Sequence, residues 1–345
     1  MLETLPFTDK KIKKQPTPSR HKFGVGLTQK PTTMKKIAPF FILLAFLNGK
    51  AQELNLPSFT QYLADNPFII SPVYAGIGDN VKIRANGFTQ WVGIKDAPEN
   101  MSLAADMRIH DQSGIGLYLY SDKNGNTRQS GAKVSFAHHI VIDKYAEQFV
   151  SFGISYALNQ FRIEIENFTG QDMAVVDDRR LTNHNVDVGF LYRKNGFYGS
   201  FTVANLLNKN LDVFNDVEPL ELRNYQVFSG YKWRSSSNND FEVEPSGFFQ
   251  YFESDQRSTT DLNLKLRFYN FDDYYWAGVS YRFLNDQLLE PLNIGPMLGL
   301  KKSNFYFAYS YQITLNKLVN YNSGTHMVTL GVDIFQGISN CPCTF

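Results

Sequence analysis

The sequence predicts an all-β fold: a transmembrane antiparallel β-barrel of about 14 strands, preceded by a short N-terminal lead-in or plug segment. Three observations support this fold class. Apolar and polar residues alternate through most of the chain, a segment near the N-terminus has the features of an export signal, and aromatic residues make up 15% of the sequence, with 29 Phe and 19 Tyr.

The N-terminus predicts export from the cytoplasm. Residues 1–33 are polar and basic without periodicity, and we expect them to be a misassigned upstream extension. Met34 opens a basic stretch that leads into an apolar run over 37–47 and then into small residues, so residues 34–51 are predicted to be a cleaved signal peptide. The apolar run is shorter than the roughly 20 residues of a membrane-spanning helix. We therefore expect a mature chain of 294 residues that begins at Gln52.

An apolar stretch that contains two prolines precedes the first predicted strand. Residues 52–80 form a predicted periplasmic lead-in or plug, in which Pro67 and Pro72 interrupt a run of Phe, Ile, Val and Tyr. Proline fits neither a helix interior nor a central strand, so this stretch is not expected to add an edge strand. Its apolar residues are expected to pack into the mouth or lumen of the barrel, either as a passive plug or as a docking surface.

The barrel itself is predicted over residues 81–335, with a tail at 336–345. In the closing segment Met327–Phe335, Val328 and Leu330 alternate with Thr329 and Gly331. Such a period of two is typical of a strand with one face in an apolar medium. The closing strand is expected to pair with the first, Val81–Val92, and to turn its apolar set toward lipid. Other predicted strands are Met101–His110, Ser113–Ser121, Gln129–Val141, Glu147–Ala157, His184–Arg193, Gly196–Asn205, Tyr225–Trp233, Phe241–Phe252, Asp261–Phe268, Tyr274–Phe283, Pro291–Leu300 and Asn304–Thr314.

Two architectures are compatible with these predicted strands. A secreted β-sandwich or propeller would bury the apolar faces in a dry core, whereas an outer-membrane barrel turns them to lipid. Strand lengths near the roughly 9 to 11 residues of a tilted crossing, aromatic residues at strand ends and the export signal favour the barrel. Gly and Tyr recur at the luminal positions with few charges, which predicts a filled barrel more than a wet pore.

Charge and motifs exclude several functions. Residues 1–51 hold 10 of the 34 basic and 2 of the 33 acidic residues, so the mature chain has 24 basic and 31 acidic residues and a net charge of −7. A nucleic-acid-binding footprint is therefore absent. No nucleophile elbow, metalloprotease motif, phosphate loop or dinucleotide motif is present, so the sequence predicts neither an enzyme nor a cofactor.

Three polar groups could suggest metal or redox chemistry, and each has a simpler interpretation. His138 and His139 are adjacent on a predicted strand and face opposite sides, so they cannot share one metal ion. Residues 177–180, Asp-Asp-Arg-Arg, are interpreted as a solvated loop with local ion pairs. Cys341 and Cys343 flank Pro342 near the C-terminus, where a disulfide would be strained, and they are interpreted as an exposed tail.

Three motifs, in this order, resemble the PorP/SprF family of type IX secretion system membrane proteins. They are QYLADNPFIISPVYAG from Gln61, RANGFTQWVGIKDAPENMSLAADM from Arg84, and NSGTHMVTLGVDIF from Asn322, followed by a Cys-Pro tail. The chain departs from the family pattern in the more apolar 68–73 stretch and at Met327, where the family has an acidic residue. The motif residues that the resemblance marks as candidates for partner contact are Asn66, Pro67, Pro72, Tyr74, Ala75, Gly76, Arg84, Gln90, Trp91, Gly93, Pro98, Gly324 and His326.

The resemblance implies a non-enzymatic outer-membrane barrel of Bacteroidetes that works with type IX secretion and gliding. Its implied partners are outer-membrane lipid, a secreted adhesin that it helps to export or anchor, and periplasmic parts of the machinery; a small-molecule ligand is not expected. A fatty-acid-type transporter or porin is the alternative, and a barrel enzyme would need an interfacial Ser/His or Asp/His pair that we do not find. Strict alternation along the first strand predicts that Arg84 and Gln90 are luminal and that Trp91 belongs to an interfacial aromatic girdle.

Overall fold

The structure is a computed structural model of the 345-residue chain, and it describes residues 60–78, 80–163, 179–207, 223–234, 240–253, 256–286 and 289–336. The predicted upstream extension, the signal peptide, Asp177, Asp178 and both cysteines lie outside these residues. None of the helical segments in the described part of the chain has the length and apolarity needed to cross a bilayer.

Strands make up most of the described chain. In order they are β1 Asn80–Thr89, β2 Glu99–His110, β3 Ser113–Asn124, β4 Thr127–Asp143, β5 Gln148–Ile163, β6 Arg179–Lys194, β7 Phe197–Ala204, β8 Asn224–Tyr231, β9 Trp233–Arg234, β10 Phe241–Phe252, β11 Ser258–Asn270, β12 Asp273–Leu284, β13 Glu290–Lys302, β14 Phe305–Thr314 and β15 Thr325–Gln336.

These strands form one closed antiparallel barrel. β8 and β9 are two parts of a single crossing that is interrupted at Lys232, and both pair with β10, so the barrel has 14 crossings, as the sequence predicts. The ring closes where β15 pairs with β1, with Leu330 opposite Ala85. The predicted pairing of the closing strand with the first one is therefore confirmed.

Side chains alternate between the outer surface and the lumen. On β15, Val328 and Leu330 are exposed, whereas Thr329 and Asp333 are buried. The same alternation places a belt of large apolar residues on the outside of the other strands, including Leu117, Phe152, Leu264, Phe268 and Leu298. A sandwich would bury such a belt, but a membrane barrel exposes it to lipid.

The connections give the barrel an orientation. Asn80 and Gln336 lie at one end, where the turns at 111–112, 195–196, 271–272 and 303–304 each have two residues. The opposite end carries longer connections, among them 90–98, 205–223 and 315–324. Outer-membrane barrels have short periplasmic turns and longer extracellular loops, so the end with Asn80 and Gln336 is periplasmic.

Two predicted boundaries are wrong. The first strand ends at Thr89 rather than at Val92, because the backbone turns left-handed at Trp91, where φ is 51°. Arg179 and Arg180 do not lie in a loop but begin β6, opposite Ile163 and Arg162 of a long β5. The alternation of apolar and polar residues does not show how far the β5–β6 hairpin extends beyond the membrane.

Candidate functional site: the plugged lumen and the extracellular rim

A short segment packs inside the lumen. Residues 60–78, here called the plug, form three single 3-10 turns at Gln61–Leu63, Pro67–Ile69 and Pro72–Tyr74. Pro67 and Pro72 are each the first residue of a turn. A backbone N–H at this position has no acceptor within the turn, so proline, which lacks the N–H, loses no hydrogen bond there. The plug supplies much of the buried apolar core, including Tyr62, Leu63, Phe68, Val73 and Ala75. For the described residues 60–78, the expectation that this stretch packs into the mouth or lumen is confirmed.

Glycines in the wall make room for the plug. A Cβ added at Gly153 of β5 would lie 2.6 Å from the Val73 backbone nitrogen, and one at Gly189 of β6 would lie 2.8 Å from Val73 Cγ1. An added Cβ at Gly116 of β3 would run into the Phe68 ring. The inward glycines on this side of the barrel therefore form a groove into which the plug fits.

His139 of β4 holds the periplasmic end of the plug. Its Nε2 lies 2.9 Å from the Ala75 carbonyl oxygen, and its Nδ1 lies 2.8 Å from Ser151 Oγ. Because a carbonyl can only accept, Nε2 carries the hydrogen. His138 points outward to Ser113 Oγ. The prediction that the two imidazole rings face opposite sides is confirmed.

Two more plug residues predicted as candidates are fixed to the wall. The Tyr74 hydroxyl donates to Ser200 Oγ at 3.0 Å, and the Gly76 N–H donates to Asp106 Oδ2 at 3.0 Å. Gly76 has a φ of 74°, which favours glycine. Asn66 is also buried, and the structure gives its side-chain nitrogen no hydrogen-bond partner.

The lumen is richer in charge than the sequence suggested. The expectation of few luminal charges is wrong, because buried or half-buried acidic and basic residues pair across strands. These pairs are Arg84–Asp333 at 2.6 Å, Lys133–Asp187 at 2.9 Å, Arg267–Glu242 at 2.5 Å and Arg282–Asp261 at 2.5 Å. Pairing compensates part of the cost of removing each charge from water.

Asp65 joins the plug to this charged wall. Its carboxylate accepts hydrogen bonds from Lys265 Nζ at 2.7 Å, from Arg267 Nη2 at 2.7 Å and from the Tyr274 hydroxyl at 2.6 Å. Burial raises the pKa of Asp65, but the charges of Lys265 and Arg267 outweigh burial and hold it well below its usual range. Asp65 is therefore ionised in the closed barrel.

The second group of candidate residues lies at the extracellular end. The Gln90 N–H donates to the Pro98 carbonyl at 2.9 Å, within the β1–β2 connection. The Val92 N–H donates to the Gly324 carbonyl at 3.0 Å, and the Ser323 N–H donates to the Val92 carbonyl at 2.8 Å. The connections 90–98 and 315–324, here called the rim, are thus joined backbone to backbone. Gln90 and Trp91 belong to this rim and not to the first strand, which corrects their predicted place in that strand.

Backbone conformation fixes the rim. Gly93 and Gly324 have φ values of 103° and 83°. A Cβ added at Gly324 would lie 2.7 Å from the Gln312 carbonyl oxygen. His326 lies just beyond, on the outer face of β15, where its Nδ1 is 2.7 Å from the Tyr309 hydroxyl and its ring is 4.9 Å from that of Tyr311. These residues form an aromatic cluster beside the rim.

The candidate residues therefore divide between two ends of the barrel. Arg84 is luminal, as predicted, and its guanidinium stacks 4.4 Å from the Tyr306 ring centroid. Sequence reasoning missed Asp65 and its partners Lys265 and Arg267. Two features of the sequence could have identified these residues. Asp65 lies within the first family motif, and Lys265 and Arg267 both lie on the polar face of β11. Met327, the departure from the family pattern, is luminal and packs against Phe88.

Within the described part of the chain, no group of three or more His, Cys, Asp or Glu residues is arranged to hold a metal ion.

Comparison with solved structures finds other outer-membrane β-barrels. The monoaromatic hydrocarbon channel CymD is 11% identical, with 85% of this chain and 95% of that chain covered and a TM-score of 0.46. A Pseudomonas aeruginosa FadL homologue is 10% identical, with 83% and 97% covered and a TM-score of 0.43. BamA from Haemophilus ducreyi is 8% identical, with 74% and 70% covered and a TM-score of 0.39.

Among curated proteins, no sequence matches. The family comparison is informative, because residues 51–332 match the family described as "Type IX secretion system membrane protein PorP/SprF". The match spans the plug and nearly the whole barrel, including both groups of motif residues. This chain belongs to the PorP/SprF family of type IX secretion system membrane proteins.

Proposed function

We propose that this outer-membrane barrel is a non-enzymatic component of type IX protein secretion. It helps to export or anchor a cell-surface adhesin, or it links the outer membrane to the periplasmic machinery. Family membership and the barrel support the coarse assignment to type IX secretion and the outer membrane. The adhesin, the link to gliding and the cleaved signal peptide are part of the proposal.

The filled lumen is the observation that most favours a protein-handling role over transport. A diffusive porin needs a polar path through the barrel, whereas Tyr62, Phe68 and Val73 are buried in the lumen against wall residues on several strands. A fatty-acid-type transporter remains the alternative function. It would require the plug to leave the lumen, or a lateral opening in the wall.

The rim offers the extracellular surface on which a secreted protein would be held. Its two connections are distant in sequence, yet they share two backbone hydrogen bonds through Val92. Such a platform is preorganised, which lowers the entropic cost of binding a partner. The periplasmic turns, at the other end, are the surface available to the machinery.

Deletion of the gene in its native host tests the proposal. Surface display of the adhesin encoded nearest to the gene should fall, as measured by antibody labelling of intact cells, and a plasmid copy should restore it. Uptake of fatty acids and small aromatic compounds by the same strains should remain normal. Normal display of all secreted proteins together with defective uptake would replace the proposal with the transporter function.

A further inference from the structure

The plug is attached to the wall in two different ways. Its second half, Phe68–Gly76, lies against inward glycines, where added Cβ atoms would collide with the plug, at Gly114, Gly116, Gly153 and Gly189. This half also hydrogen-bonds to wall side chains through Tyr74, Ala75 and Gly76. The first half, Thr60–Asp65, is held by side chains of β8 and β10–β15. The Tyr62 hydroxyl donates to Asp261, and Thr60 Oγ1 donates to Ser310 Oγ. The two halves can therefore differ in how readily they leave the wall.

The donors around Asp65 are positioned by the wall itself. Arg267 also pairs with Glu242 at 2.5 Å, and Lys265 Nζ lies 4.1 Å from the centroid of the Trp276 ring. Tyr274 is held on the neighbouring strand β12. Lys265 also donates to the Leu63 carbonyl, so the plug's backbone contributes one acceptor and Asp65 contributes the carboxylate. Three convergent donors of this kind are a built site for a carboxylate.

Charge favours an occupied site. If Asp65 left, Arg267 would keep Glu242. Lys265 would keep only Glu244, which lies opposite it in the strand register, and it would have no carboxylate oxygen within 4.0 Å among the residues that the structure describes. Loss of its direct ion pair destabilises a buried ammonium. Withdrawal of the first half of the plug is therefore more favourable when another anion takes the place of Asp65.

The first half also contains the less satisfied contacts of the plug. Asp65 adopts a φ of 51°, in a region that non-glycine residues seldom occupy. The side-chain nitrogen of Gln61 is buried without a hydrogen-bond partner. Such a group lowers the stability of this half. The side-chain nitrogen of Asn66, between the two halves, is buried without a hydrogen-bond partner too.

We propose that Lys265, Arg267 and Tyr274 form a carboxylate-binding site, which Asp65 fills in the closed barrel and which a carboxylate of an incoming polypeptide fills when Thr60–Asp65 withdraws. The segment Phe68–Gly76 stays in place during this exchange. The proposal rests on the proposed function in one respect, because it takes the incoming ligand to be a protein that the secretion system delivers.

Carboxylate binding can be measured on the purified full-length protein. In Asp65→Gly the site loses its internal carboxylate, and glycine accepts the positive φ without strain. Sodium acetate should raise the Tm of this variant more than sodium chloride at the same concentration. The wild type, whose site is filled, and Asp65→Gly/Lys265→Met should respond equally to the two salts. Equal responses in Asp65→Gly would overturn the site.

Exchange can be measured separately with the wild-type protein in planar bilayers. A poly-glutamate peptide should increase the frequency of channel openings, whereas a poly-glutamine peptide of the same length should not. Lys265→Met should abolish the difference between the peptides. Openings that are equally frequent with both peptides would overturn the exchange, even if Asp65→Gly does not fold. These measurements need no secretion, so a failed display experiment in cells would count against the proposed function alone.

Discussion

Arg84 Nη1 lies 2.6 Å from Asp333 Oδ1, and this ion pair joins the first strand to the last across the line where the barrel closes. Arg84 faces Gly331 in the register of the two strands, and it crosses this glycine to reach Asp333 two residues further along β15. Lys301 of β13 also lies 3.3 Å from Asp333, on its other oxygen. The closing line thus carries a buried charged cluster in the lumen.

Replacing Asp333 with Asn should destabilise the barrel by about 3 to 5 kcal/mol, because it leaves the buried Arg84 without its anion. The free energy of unfolding, measured by urea titration in lipid vesicles, checks this value. Glu99→Gln is the matched control, since Glu99 is exposed at the start of β2, and it should change the free energy of unfolding by less than about 0.5 kcal/mol. Similar losses in both variants would contradict a special role for the closing pair.

Leu330 should be sensitive to charge because it lies midway along β15 on the outer face. Leu330→Arg should cost about 2 to 4 kcal/mol, whereas Ile313→Arg, on the outer face near the extracellular end of β14, should cost about 0 to 1 kcal/mol. Heat-modifiable migration on gels and urea titration measure both. Equal costs at the two positions would show that Leu330 is not at the membrane centre.

The plug groove should tolerate no side chain at Gly153. Gly153→Ala places a Cβ 2.6 Å from the Val73 backbone and should lower the free energy of unfolding by about 1 to 3 kcal/mol, because the plug must shift. Gly87→Ala is the control on β1, where an added Cβ meets nothing within 4 Å. It should be neutral or slightly stabilising. A harmless Gly153→Ala would mean that the plug does not rest on β5.

The lowered pKa of Asp65 predicts how the free energy of unfolding depends on pH. Its lowered pKa means that its contribution to stability is complete above the unfolded-state pKa and is lost as the pH falls through the folded-state pKa. The difference in unfolding free energy between wild type and Asp65→Asn should be constant from about pH 5 to pH 8 and should shrink only below about pH 4. A difference that changes near neutral pH would contradict the ionised state of Asp65.

The rim should depend on Gly324. Gly324→Ala introduces a Cβ 2.7 Å from the Gln312 carbonyl at a φ of 83°, so the hydrogen bonds to Val92 should be disturbed. We expect normal barrel assembly but reduced adhesin display on intact cells. Ser323→Ala, which keeps both backbone hydrogen bonds, is the control and should display normally. Full display by Gly324→Ala would exclude the rim as the holding surface.

The sequence by itself determined which face each strand residue occupies and where the chain cannot form a strand. The exposure of Leu330 and the burial of Thr329 follow from a period of two, because successive side chains point to opposite sides of any strand. Pro67 and Pro72 likewise predict a segment outside the sheet, and the structure gives it three 3-10 turns. These properties depend on local geometry, which each short stretch of sequence contains.

Only the tertiary structure decided which luminal residues meet. Alternation assigns a residue to the lumen but not to a level within it, since the level depends on strand tilt and on the stagger of the closed barrel. Asp65 therefore meets Lys265 and Arg267, about two hundred positions away, and Val92 meets Gly324, without any local signal. The expectation of a lumen with few charges was wrong for a different reason, because alternation already places Lys265 and Arg267 on the polar face of β11. Only their pairing with Asp65 and Glu242 depends on closure of the barrel.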